Sequence, residues 1–162
     1  MQTSAQIVGL LALLASGLMA GLFYAYSVSV IWGLSRADPR AAIDSFNGIN
    51  VAILNPLFLL VFMGVPVLAA IAAFLFWQSG QPAAMWLFAG AAGVYAVGTI
   101  GVTMAVNVPM NEALAKVAMP QDVNAARQIW DSFASGWMPW NHIRAATSTL
   151  ALLLAGIGLY LA

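Results

Sequence analysis

Four apolar stretches, each of bilayer length, constrain this chain more than any other feature: roughly Ala5 to Gly33, Pro56 to Trp77, Ala83 to Val106 and Ile143 to Ala162. About 20 residues of helix cover the ~30 Å hydrocarbon layer. None of the four carries a Lys, Arg, Asp or Glu except Arg144, at the start of the last. Within lipid, each segment must satisfy its own backbone polar groups, which a helix does. The sequence therefore predicts an all-α integral membrane protein, a single four-transmembrane-helix domain over residues 1–162. The first stretch lacks a basic leader and is too long for a cleaved signal, so it is expected to remain as helix 1.

The connections divide unequally. Leu34 to Asn55 is polar and opens with Ala37, Asp38 and Pro39, a cap followed by a first-turn proline, which predicts a short helix. QSGQP, residues 78–82, is a tight turn that makes the second and third spans a hairpin. Asn107 to Asn141 is long, with Pro109, an i,i+4 pair Glu112 and Lys116, and a second helical segment near 121–135. Short amphipathic helices are thus expected in the first and third connections. All five basic residues (Arg36, Arg40, Lys116, Arg127, Arg144) fall on that side and none on the other. The positive-inside rule then places loops 34–55 and 107–141 in the cytoplasm, with a bacterial inner membrane as the expected setting. Pro66 is expected to kink the second span. Small residues at i,i+4, such as Ala12, Ser16 and Ala20, permit close helix contact, within the bundle or in a homo-oligomer.

Chemistry concentrates in WMPWNHIRA, residues 137–145, which holds the only histidine. Trp130, Phe133 and Trp137 lie at i, i+3, i+7 on one helical stripe. Such a stripe serves as an aromatic belt at headgroup depth or as a wall for a planar ligand. Asn141, His142 and Arg144 bring an amide, an imidazole and a fixed cation to the expected start of the fourth span, where free N–H groups also favour an anion. Asn107 and Asn111, with Asn47, Asn50 and Asn55, converge on the same boundary and suggest a polar-lined cavity. The absence of cysteine and the single histidine exclude a two-histidine haem or iron site within one chain, and no nucleotide-binding or hydrolase motif occurs. No charge lies mid-membrane for ion conduction, and a net charge of zero offers nucleic acid nothing.

FNGINVAILNPLF (46–58), NVPMNEALA (107–115) and Trp130 followed by WMPWNHIR (137–144) resemble the DUF1772 family of small four-helix membrane proteins, which includes anthrone oxygenases. The similarity runs in order along nearly the whole chain. It implies oxidation of an anthrone, a tricyclic phenol, to an anthraquinone with O2 as co-substrate and no metal, haem or flavin. On that reading His142 is the general base, Arg144 and Asn141 stabilise the oxyanion, Trp130, Trp137 and Trp140 offer aromatic surface, and Asn107, Asn111, Asn50 and Asn55 orient the ligand. The partners expected are the lipid bilayer and a small hydrophobic aromatic ligand. The alternative from the residues alone is a non-enzymatic protein that binds lipid, quinone or another apolar ligand, or serves as an assembly subunit, with the WNHIR segment anchoring its last helix.

Overall fold

The computed structural model describes residues 2–162. Four rods are long and apolar enough to cross a membrane: α1 (Gln2–Ser35), α3 (Pro56–Gln78), α4 (Pro82–Ala115) and α5 (Val123–Tyr160). The short α2 (Pro39–Ala52) joins the first two. As its sequence predicts, Asp38 caps α2, accepting from the N–H groups of Arg40 and Ala41, with Pro39 in the first turn. The side-chain amides of Gln2 and Gln81 both donate to the Ala162 carbonyl, at 3.0 and 2.9 Å. Both termini and the α3–α4 turn therefore meet at one end of the bundle, and the charged connections lie at the other. Gly80, at φ 72°, supplies the left-handed residue on which that turn closes.

The rods are longer than the apolar runs that announce them. At 1.5 Å per residue, the 38 residues of α5 reach about 57 Å, well beyond the ~30 Å of hydrocarbon. The surplus protrudes at the charged end, and α2 packs against it. Two cores result. The lower one, within the bundle, joins Ala5, Ala12, Ala69, Ala72, Ala151 and Ala155 to Phe62, Phe76, Phe88 and Tyr95. The upper one holds Ile43 and Phe46 of α2 against Trp130, Phe133 and Trp137 of α5.

This corrects two expectations. The fourth span does not begin at Ile143: α5 runs unbroken from Val123, so residues 141–144 sit mid-helix and no free helix N-terminus is available there to hold an anion. Pro139 does not stop the rod, because the carbonyl it deprives of a partner belongs to Ser135, which is exposed. The third connection likewise shrinks to residues 116–122, because α4 continues through Asn107, Pro109 and Asn111. Pro66 is also carried inside an unbroken helix.

Candidate polar site between the two cores

Arg144 projects from the inner face of α5 and is 5% exposed. Its guanidinium lies against two rings, Phe23, 4.6 Å from the ring centroid, and Trp137, at 4.9 Å. Both distances lie within cation–π range. Nη2 donates to Asn141 Oδ1 at 2.9 Å and Nη1 reaches Thr103 Oγ1 at 3.4 Å, while Nε has no partner. No carboxylate neutralises it: the ion pairs among the described residues are Arg40 with Asp38 and Arg127 with Asp131, at the charged end. A buried charge is normally paired; here two rings and two side-chain oxygens stand in for a counter-ion.

The same bonds extend outward. Asn141, fully buried, donates through Nδ2 to the Phe23 carbonyl at 2.9 Å and to Ser27 Oγ at 2.8 Å. Ser27 Oγ lies 3.0 Å from His142 Nδ1. A serine hydroxyl can both accept from Asn141 and donate its proton to Nδ1, and in that arrangement the imidazole hydrogen sits on Nε2. The result is a continuous chain, Arg144 to Asn141 to Ser27 to His142, running from the buried cation to an exposed imidazole.

Around this chain the bundle is unusually wound. Tyr26–Val30 of α1, and Ala96–Gly101 and Thr103–Asn107 of α4, are π-helical, and these segments carry Ser27, Thr99, Thr103 and Asn107. Such turns leave the α pattern at a cost and are frequent at functional sites. Thr99 bridges to Thr147 and Ser148 of α5 at 2.9 and 3.0 Å. Asn107 is fully buried with both amide atoms unpartnered. Each such orphan costs about 1–3 kcal/mol, a penalty a bound ligand would remove.

The residues anticipated from sequence separate into groups. Arg144 and Asn141 are bonded to each other in the buried site, and Asn107 is buried one turn along α4 from Thr103, which Arg144 reaches. His142, the general base the resemblance implies, lies on the outer face, linked inward through Ser27, because it is one residue on from the inward Asn141. Trp137 donates to Asn111 Oδ1 at 2.9 Å, and Asn111 donates to Asn50 at 3.1 Å, forming a roof over the site. The Trp130–Phe133–Trp137 stripe was expected at an interface or as an open wall; it is core instead, crossed edge-on by Phe46. Trp130 is occupied by its own bond to Ser35 Oγ at 2.9 Å. Trp140 points outward, and Asn55 is exposed, capping α3 through the Phe58 N–H. Asn47, on α2, has an unpartnered side-chain oxygen. Sequence reading missed Ser27, Thr99 and Thr103, although Thr99, Thr103, Asn107 and Asn111 recur every fourth residue in α4.

Beside the roof, an open groove of about 670 Å3 lies between the end of α4 and the first half of α5, lined by Met110, Leu114, Val117, Ile129 and Phe133 among others. No group of His, Cys, Asp and Glu with the makings of a metal site occurs among the described residues.

Fold and site together define a four-helix membrane-type bundle with an uncompensated buried cation at the junction of two cores. Residues 58–154, more than half of the chain, match the family model described as Anthrone oxygenase. The chain belongs to that family. The matched region includes Asn107, Asn141, His142 and Arg144, whereas Ser27 lies outside it. Searches of curated proteins and of solved structures returned no match.

Proposed function

We propose that this protein is a membrane-embedded oxygenase that converts an anthrone-like polycyclic phenol to the corresponding quinone with O2, without a resident cofactor. The observation that carries the reading is Arg144: a buried guanidinium, unpaired with any carboxylate, with Nε unbonded and two aromatic rings against it. Ionising an anthrone at its central CH2 puts negative charge on the carbonyl oxygen, and a preformed cation in a water-poor site stabilises that charge. Family membership supports the same reaction class.

The groove between α4 and α5 is the access route, and the ligand moves inward past Met110 and Trp137. The proton leaving the CH2 passes to Ser27 Oγ as the serine proton passes to His142 Nδ1, which makes the exposed imidazole the terminal acceptor. The enolate then reduces O2, the carbon–oxygen bond forms, and loss of water from the hydroperoxide leaves a second carbonyl. The balance closes: one CH2 and one O2 give one C=O and one H2O. Asn107 orients the ligand from α4, and Asn141 holds the guanidinium in register.

An oxygen electrode tests this with purified protein and anthrone. Arg144→Met, which fills similar space, is expected to lower protein-dependent O2 uptake by about 10²–10³. His142→Gln is expected to lower it by about 10²–10⁴ while the protein still assembles. Wild-type uptake no faster than spontaneous oxidation sinks the enzymatic reading and leaves a membrane binding protein, while an Arg144→Met rate equal to an active wild type removes Arg144 from the chemistry.

A further inference from the structure

At the lower end of the bundle, Trp77, Trp86 and Tyr160 stand exposed around the level where Gln81 donates to the Ala162 carbonyl. Twenty residues from Tyr160 up α5, a rise of about 30 Å, Trp140 again points outward. The same step from Trp77 along α3 reaches Leu57, and from Trp86 along α4 it reaches Val106. That rise matches the ~30 Å of hydrocarbon in a bilayer, and outward Trp and Tyr favour its two boundaries. Between these levels the outward side chains of α3 include Leu60, Met63, Val67, Ile71 and Phe74. The apolar surface continues past Leu57. Val51 and Leu54 are 76% and 68% exposed, as bare as Leu57 at 73%. They lie where α2 comes down to α3. Its start is held high, because Arg127, thirteen residues or about 20 Å beyond Trp140, donates to the Ser35 and Ala37 carbonyls. Its outward residues change from Asp44 and Ser45 to Gly48, Val51 and Ala52 on the way down.

We propose that the bilayer surface at the charged end crosses the bundle at Leu57, Val106 and Trp140, and that the Val51–Leu54 corner of α2 sinks into the phospholipid headgroup layer. The inference rests on the membrane-embedded reading of the chain and adds where the hydrocarbon ends and which further surface lipid covers. The headgroup layer is about 5–7 Å deep on each side. Asn50 bonds Asn111, which stands five residues or about 7 Å beyond Val106, so the neighbouring Val51 lies within reach of that layer and Leu54 deeper. The contact is apolar and not electrostatic: Arg40 of α2 is paired with Asp38, and Asp44 adds an acid, so α2 carries no basic face for anionic lipid. Lipid thus grips the same turn of α2 that bonds the roof, and Arg144, four residues below Trp140, sits about 6 Å inside the hydrocarbon boundary.

Spin labels measure this depth, and a chain without cysteine accepts one label per variant. Val51→Cys and Leu54→Cys are compared with Leu60→Cys and Met63→Cys on the α3 stripe and with Asp44→Cys and Lys116→Cys at the charged end, all at exposed positions. Each full-length variant is reconstituted into phosphatidylcholine vesicles. Collision of the label with O2, which enters lipid, is set against collision with a neutral nickel chelate, which stays in water. Labels at 60 and 63 are expected to favour O2 and those at 44 and 116 to favour nickel, while those at 51 and 54 read a depth within about 7 Å of the hydrocarbon boundary. Nickel collision at 51 and 54 equal to that at 44 overturns the corner assignment and leaves the spans in the membrane. Equal nickel collision at 60 and 63 as well overturns the membrane-embedded reading with it. Spin–spin broadening at 54 that vanishes on dilution with unlabelled protein shows a second copy covering the corner, and likewise overturns the assignment to lipid.

Discussion

The lower and upper cores solve the same packing problem with different side chains. In the lower core, α1 meets its neighbours through Ala5, Gly9, Ala12 and Ser16, and a Cβ on Gly9 would lie 2.8 Å from Leu159 and 3.0 Å from Phe88. Lipid is as apolar as a side chain, so helices there gain from close backbone approach and not from escaping water. In the upper core, at the charged end, α2 is held to α5 by large rings: Phe46 lies 4.9 Å from Phe133 and 5.5 Å from Trp137. Such edge-on ring pairs add to what the buried area alone contributes. The difference explains where the polar site falls. Neither small-residue packing nor ring packing tolerates an unpaired cation at its centre, and Arg144 sits at the seam between them.

The largest effect expected from breaking this contrast is in the upper core. Trp130→Ala removes a fully buried ring together with its bond to Ser35, and should cost about 3–5 kcal/mol. Trp140→Ala, on an outward residue 39% exposed, should cost under about 1 kcal/mol. Thermal unfolding in detergent measures both. Equal losses would show that the upper aromatic cluster is a lipid-facing belt and not a core.

That pair also marks what the sequence reveals and what it conceals. Trp130, Phe133 and Trp137 read clearly as one helical stripe, but periodicity does not say what covers a stripe. Here α2 covers it through Phe46, a long-range contact that no local pattern contains. The four spans were legible because hydrocarbon thickness sets their length. Their true ends were not, because α4 and α5 continue as helices past their apolar runs and polar residues do not end a helix there. Arg144 and Asn141 announced themselves by chemistry. Ser27 did not, since one serine in an apolar run usually only bonds back to its own helix, as Ser16 does to the Ala12 carbonyl.

Next in size is a change in the lower core. Gly98 lies in a π turn of α4 where an added Cβ would stand 2.8 Å from Thr147 Cβ, a branch point that cannot swing aside. Gly98→Ala should force α4 and α5 apart, cost about 1–3 kcal/mol and disturb the bonds from Thr99 to Thr147 and Ser148. Gly93→Ala, an exposed position with nothing within 4 Å of the new methyl, should leave stability unchanged or raise it by up to about 1 kcal/mol. Matching losses would mean that helix contact in the lower core is looser than its small residues imply.

The smallest effect is confined to the edge of the upper core. Arg40, hydrogen-bonded to Asp38 at 3.3 Å through Nε, holds that carboxyl below its ordinary range, reinforced by the N–H groups of Arg40 and Ala41. A carboxyl depressed on folding contributes fully above its unfolded pKa and loses its contribution as pH falls through the folded one. The first turn of α2 should therefore open in acid, below the ordinary carboxylate range, while the ring cluster behind it stays closed. Amide hydrogen exchange at Arg40 and Ala41, corrected for intrinsic rates, should show falling protection over that window in wild type. Asp38→Asn, which cannot titrate but still accepts a hydrogen bond, should show none of that pH dependence. If Phe46 and Ile43 lose protection over the same window, α2 opens as one unit with its cap, and the upper core depends on that surface carboxyl more than its rings suggest.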